Sequence, residues 1–323
     1  MEKVSVLLTT YNYGRFVVQS VESVLNQDYG GEIELIVVDD GSTDNTSELL
    51  APYEGRIIYI KRENGGQNAA FNTGFARSTG AYIHFLDADD WWKPEKVRRT
   101  QECFDANPDA GLVHFRLLLV GEEGGLADHK GRPSTVPVSL TIGEKPAHGE
   151  IRRVLLDRDF PWLFAPGKAF RRSAVERLMP LPTPEGMTSF TDSFLINGIA
   201  MFAPVAYLDE VLGFYRMHSA NHHFGTAERK RAWAAMRLLY FETLYAFVEK
   251  VLAREKTPLS LHVEGSWRQQ KLRSAAEHRA PLRLLPHALA ELWKRRHFTL
   301  SRRIADSSEM LFKSVERTLK GKY

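Results

Sequence analysis

At 323 residues, 43% hydrophobic and 26% charged, the chain has room for about two domains, or one large domain with an appendage, and the composition of an ordinary globular protein. A single cysteine, Cys103, excludes an intramolecular disulfide and fits a reducing compartment. The formal net charge of +3 hides an asymmetry, because Ser266–Tyr323 carries 14 Lys/Arg against 5 Asp/Glu, a local +9 that invites an anionic partner.

The elements follow in chain order. Val4–Thr10 is a β-rich apolar run closed by the loop Tyr11–Gly14, after which Phe16, Val17, Val21, Val24 and Leu25 recur near helical spacing. Glu2 and Lys3 lead straight into the first run with nothing resembling a leader. Ile33–Val38 is a second buried strand, ending in Asp39-Asp40-Gly41-Ser42, and Thr43 or Asp44 can cap a short helix through Leu50. A third strand, Ile57–Ile60, turns through Asn64-Gly65-Gly66 into a helix over 67–77. The fourth, around Tyr82–Leu86, stops abruptly at Asp87, Asp89 and Asp90. A helix over Glu95–Ala106, a strand over Gly111–Val120 and an irregular or edge-β region over 121–149 come next. Strands are expected at Phe164–Phe170 and Leu212–Met217, with a helix over Thr191–Met201 between them and a long amphipathic helix over Glu228–Leu252. The longest uncharged apolar stretch, residues 193–208, is interrupted by Asn197 and Pro204 and is short for a membrane span, so a cytoplasmic protein without a transmembrane helix is expected.

Strict alternation of strand and helix with short polar junctions predicts a doubly wound α/β sheet, whose ligands sit outside the carboxyl ends of the strands. Thr10–Asn12, Asp39–Ser42, Asn64–Gln67 and Asp87–Asp90 all lie at such ends. Carboxylates are poor strand residues and good ligands for a hard divalent cation, so Asp87-x-Asp89 can hold Mg²⁺ or Mn²⁺. The plainer alternative is a polar turn ahead of the next helix.

Four blocks in order, VSVLLTTYNYGRFVVQSVESVLNQ, ELIVVDDGSTDNT, NGGQNAAFNTGFARSTGAYIHFLDADD and LDEVLGFYRMH, resemble the inverting family-2 glycosyltransferases over about residues 3–220. The resemblance implies a GT-A fold, a mostly parallel mixed sheet of Rossmann type, and a nucleotide-diphosphate sugar as donor, a UDP-sugar first and a GDP-sugar second. By the same resemblance Thr10, Tyr11 and Asn12 line the base and ribose, and Asp39 receives an N–H of the base. Asp40 instead stabilises the Gly41-Ser42 turn. Asn64, Gln67 and Ala88 join the donor site; Asp89 holds the metal, with Asp87 toward ribose or metal and His218 at the metal or ordering its loop. Asp90, Trp91 and Trp92 are expected to fix the loop. Asp192 matches the family's general base, without the Glu that often precedes it, and Glu185 is the fallback. Relatives often carry Arg where this chain has Phe71, which removes one diphosphate contact.

The implied reaction is transfer of a sugar to a hydroxyl of a cell-surface polysaccharide or lipid-linked glycan, with no nucleic-acid partner. Two alternatives stand beside it. A nucleotidyltransferase would need a Gly-rich, Lys/Arg-bearing first loop that is missing here; a non-catalytic nucleotide-sugar scaffold is at odds with intact Asp87, Asp89 and Asp192. The expected domains are 1–225, catalytic, and 226–323, a basic α-helical extension. Its apolar stripes, Leu282–Trp293 and Ile304–Leu319, suit a peripheral membrane contact at the inner face, packing on the catalytic domain, or a homo-oligomer.

Overall fold

The structure is a computed structural model; it describes residues 1–128, 132–136, 139–140, 168–185, 189–200, 202–219 and 221, with scattered positions between 243 and 254. The chain divides into two compact units, Met1–Lys230 and Arg231–Tyr323. In the second, Thr243, Ala246, Phe247, Lys250, Val251, Ala253 and Arg254 are helical, while the rest of the expected 228–252 helix and both stripes of the tail lie outside the described residues.

The first unit begins with β1 (Val4–Thr10), α1 (Gly14–Leu25), β2 (Ile33–Asp39), α2 (Thr46–Leu50), a 3₁₀ turn (Ala51–Tyr53), β3 (Ile58–Lys61), α3 (Gln67–Arg77) and β4 (Tyr82–Asp87). β1 pairs in parallel with both β2 and β4, and β2 with β3. Strands covered on both faces read as continuous apolar runs rather than alternating ones. Accordingly Val6, Leu7 and Leu8 of β1 and Ile36, Val37 and Val38 of β2 are all fully buried. The register sets Thr10 beside Asp39 and Thr9 beside Asp87, so three strands end at one level. Asp39 and Asp87 therefore stand within one residue of the same level, at the carboxyl edge of the sheet.

The second half comprises β5 (Trp91–Trp92), α4 (Lys96–Ala106), β6 (Leu112–Gly121), β7 (Ser139–Leu140), β8 (Lys168–Arg171), α5 (Arg172–Glu176), α6 (Thr191–Ala200) and β9 (Val205–Met217). Among the described residues these complete a mixed nine-stranded sheet, β3-β2-β1-β4-β8-β6-β9-β5, with β7 on β6. β8 runs antiparallel between β4 and β6, whereas β6 and β9 are parallel. The last strand begins at Val205, seven residues ahead of the expected Leu212. Asp209 and Glu210 hid it: the pairing jumps from Phe115–Leu208 to Arg116–Val211, so these two acidic residues bulge out of the ladder. Of the expected strand at 164–170, the part from Lys168 is seen and 164–167 lie outside the described residues. Val17, Val21, Leu86, Val97 and Phe104 close a core between α1, α4 and the sheet, each such side chain contributing about 1.5–3 kcal/mol. Among the described residues no helix is long and apolar enough to cross a membrane.

Candidate active site

The Asp87–Asp90 loop is shaped from both sides. Ser20 of α1 reaches the carbonyls of Ala88 at 2.8 Å and Asp90 at 2.6 Å. The Asp90 N–H closes a turn on the Asp87 carbonyl at 3.1 Å. From β9, the Arg216 N–H donates to Asp90 Oδ1 at 2.8 Å and its Nε to the Asp89 carbonyl at 2.9 Å. The guanidinium lies between Phe16 and Trp91, 4.6 and 4.5 Å from their ring centres, and also donates to Gln19 and the Glu122 carbonyl. Thus occupied, Arg216 is a brace. Trp92 is buried and Trp91 stacks on Phe214, as expected of loop-fixing residues.

Asp87, Asp89 and Asp90 each offer a carboxylate oxygen within 4.8 Å of the others. Asp89 Oδ2 lies 2.9 Å from His218 Nε2 and 3.4 Å from Asn221 Nδ2, while the His218 N–H donates to Asn221 Oδ1 at 2.6 Å. Asp90 Oδ2 is buried without a hydrogen-bond partner among the described residues. Burial first, and the neighbouring carboxylates second, push Asp87 and Asp90 well above the usual carboxylate range. Three crowded, desolvated carboxylates with an orphaned oxygen are the donor set a hard divalent cation neutralises, so these residues fit Mg²⁺ or Mn²⁺. His218, its ring 5.0 Å from Phe16, stands beside Asp89.

At the second junction the two acidic neighbours divide their work differently from expectation. Asp39, fully buried, takes the Ser42 N–H on Oδ1 and the Tyr59 hydroxyl on Oδ2, both at 2.7 Å. Asp40 accepts from Gly66 N at 2.7 Å and Gly65 N at 3.1 Å and pairs with Arg62, so it holds the 64–66 loop rather than the Gly41-Ser42 turn. Gly41 has φ +87°, and a Cβ there would meet the Asn64 nitrogen at 3.0 Å. Asn64 Nδ2 donates to the Asp40 carbonyl at 3.0 Å. Asn12, at φ 59°, accepts the Thr43 N–H at 2.8 Å and so ties the first junction to the second. Tyr11 stands 46% exposed beside it, whereas Thr10 is buried with its hydroxyl unpartnered. The Tyr59 phenol is pushed up to about 12, by burial first, with Ser47 opposing and Asp39 reinforcing.

α3 ties these junctions to α6. Gln67 donates to Asp87 Oδ1 at 2.7 Å and accepts from the Thr191 N–H at 3.3 Å. Asn68 accepts from the Thr191 hydroxyl at 2.6 Å and donates to the Pro182 carbonyl at 2.7 Å. Asp192 follows in the first turn of α6, and fully buried Lys168 on β8 lies 3.4 Å from its Oδ2. Burial pulls the Lys168 ammonium down to about 8 against the opposing pull of Asp192 and Asp87. Phe71 is core, edge-on to Phe85 at 5.4 Å. Glu185 is exposed. Lys168, Arg216 and Asn221 escaped the sequence reading. The signals were a lysine inside an apolar strand, an arginine beside His218, and an asparagine three residues beyond it.

A carboxylate triad at a strand end, tied through Gln67 to an acidic helix start, on a parallel sheet extended by an antiparallel strand, suits the class of GT-A sugar-nucleotide folds. The family model for glycosyl transferase family 2 matches residues 5–179, and the chain belongs to that family. It is thus a glycosyltransferase. An uncharacterized glycosyltransferase of Nostoc sp. is 32% identical over 258 residues, covering 78% of this chain and 76% of that one. Two solved structures share the fold at 19% identity. TarS of S. aureus in complex with UDP-GlcNAc has a TM-score of 0.57, over 99% of this chain and 93% of that one. The mannosyltransferase PcManGT from Pyrobaculum calidifontis, in complex with GDP-Man and Mn²⁺, scores 0.54 over 100% and 88%.

Proposed function

We propose that this glycosyltransferase is metal-dependent and inverting, moving a sugar from a nucleotide diphosphate, a UDP-sugar in the first instance, to a hydroxyl of a saccharide or lipid-linked acceptor in cell-surface glycan synthesis. The observation that carries the reading is the Asp87–Asp89–Asp90 cluster with its orphaned oxygen, whose Asp87 feels the charge of Asp192. Asp87, Asp89 and His218 would hold the cation, which when bound supplies positive charge against the departing diphosphate. Asp192, 20% exposed at its side chain, takes the acceptor hydroxyl proton as the oxygen forms its bond to the anomeric carbon and the carbon–diphosphate bond breaks. One displacement inverts that carbon. Tyr11 and Thr10 would flank the base, and Asp39 would accept its N–H where Tyr59 now sits, which favours uracil and leaves guanine second. A related mannosyltransferase is seen with GDP-Man and Mn²⁺, which keeps the guanine reading in the test.

The experiment is a thermal-shift screen of UDP, GDP, CDP and ADP with and without Mn²⁺, on the wild type and Asp89→Ala. Ligands that bind the folded state raise its melting temperature. UDP or GDP should stabilise the wild type only with Mn²⁺ and leave Asp89→Ala unmoved. Equal shifts with and without the ion would overturn metal dependence, and a preference for ADP or CDP would overturn the role of Asp39.

A further inference from the structure

Lys168 sits where a charged side chain has no ordinary reason to be. It is fully buried on a short strand between β4 and β6, and no part of it reaches solvent. Its strand partner on β6 is His114. Its ammonium approaches Asp192 Oδ2 at 3.4 Å, and the other oxygen of that carboxylate accepts the Ser193 N–H at 2.7 Å. Asp87, across the crevice, feels the opposing charges of both Asp192 and Lys168. Two neighbouring carboxylates repel each other, and a buried cation that both feel offsets that repulsion.

We infer that Lys168 is a positioning residue for the proposed base: its buried ammonium, with the Ser193 N–H, fixes the Asp192 carboxylate so that its exposed edge faces the acceptor. This rests on the reading of Asp192 as the base. The ammonium is wholly enclosed, and in this role it acts through Asp192. A long aliphatic stem packed in the sheet gives the charge a fixed origin, which a surface lysine lacks. A base held this way stays within reach of the reacting hydroxyl, where a misplacement of about 1 Å can cost about a hundredfold in rate.

The test is a double-mutant cycle on Lys168→Met and Asp192→Asn in the full chain. Transfer is measured to a panel of monosaccharide acceptors from UDP-GlcNAc or GDP-mannose, whichever the nucleotide screen selects, beside Mn²⁺–nucleotide affinity by calorimetry. Lys168→Met should lower kcat by about ten- to a hundredfold while nucleotide affinity stays within about twofold. In the Asp192→Asn background it should lower kcat no further, because two residues acting as one unit are not additive. An equal loss in both backgrounds, or a loss of nucleotide affinity, would show that Lys168 acts elsewhere and overturn the inference. Loss at Asp192 with none at Lys168 overturns it alone, whereas wild-type transfer by Asp192→Asn overturns the base assignment as well. If the methionine chain does not fold, Lys168→Gln, one atom shorter and without charge, carries the same cycle and the same outcomes.

Discussion

Removing the Asp40 carboxylate should damage stability far more than donor recognition. Its side chain is 6% exposed and holds three donors: the Gly65 and Gly66 N–H groups and the Arg62 guanidinium. Hydrogen bonds to a charged group contribute about 1.5–3 kcal/mol each. In Asp40→Ala the exposed Gly65 N–H and the part-exposed Arg62 recover water, while the buried Gly66 N–H is left without a partner. The net cost comes to about 3 kcal/mol, a large fraction of a typical total of about 5–15 kcal/mol. With an m-value of about 2 kcal/mol/M, the urea midpoint should fall by about 1.5 M. Because the loop leads into Gln67, which grips Asp87 at 2.7 Å, Mn²⁺–nucleotide affinity should fall by only about tenfold, as one hydrogen bond loosens. Urea unfolding followed by tryptophan fluorescence and calorimetry on the same preparation give both numbers. A wild-type midpoint with affinity reduced a thousandfold would mean that Asp40 touches the donor, and the division of labour between Asp39 and Asp40 drawn here would be wrong.

Burial pushes the Glu34 carboxyl up, but the Ser5 hydroxyl, the Thr79 N–H and the Lys3 ammonium outweigh it and lower it from 4.5 to about 2. A depressed carboxylate stabilises the fold above its unfolded value and loses that contribution as the pH falls from about 4.5 through about 2. Glu34→Gln should therefore cost about 1–2 kcal/mol at pH 7 after allowance for solvent screening, and the gap should close in urea titrations taken toward pH 3; a gap that widens on acidification would refute the assignment. The +9 tail from Ser266 should carry the full-length chain down with anionic liposomes, more weakly as salt rises, and a chain truncated there should stay in the supernatant. Equal sedimentation of both forms would favour packing or self-association.

The parallel half of the sheet was legible because its strands are buried on both faces, leaving runs such as Val4–Leu8 and Leu35–Val38 that polar loops interrupt cleanly. Asp87 and Asp89 were legible for the opposite reason, as charges where an apolar strand stops. What stayed hidden depends on partners distant in sequence. β8 is four residues long and takes its place between β4 and β6 only through their ladders. Asp39 and Asp40 are adjacent at the end of a strand, where successive side chains point to opposite sides, and sequence alone does not say which one meets the 64–66 loop. Arg216 could be noticed for its charge, but its four acceptors come from three separate segments, and only the fold assembles them.

The same reasoning explains why the start of α3 is rich in amides. Gln67, Asn68 and Asn72 lie on one flank of the helix, at spacings of one and four residues. Each uses both ends of its side chain. Asn72 donates to the Leu181 carbonyl and accepts the Leu181 N–H, both at 2.9 Å, while Asn68 and Gln67 each accept from Thr191 and donate to Pro182 and Asp87 respectively. Only a group that donates and accepts in one plane can do this; a carboxylate has no N–H to give and an arginine has no lone pair to offer. Leu181, Pro182 and Thr191 lie more than 100 residues downstream along the chain. α3 therefore grips Asp87 and, at Thr191, the residue just before Asp192, through a single glutamine. α3 thus links the Asp87 loop to the start of α6, and a change in its amides should alter the spacing between the two.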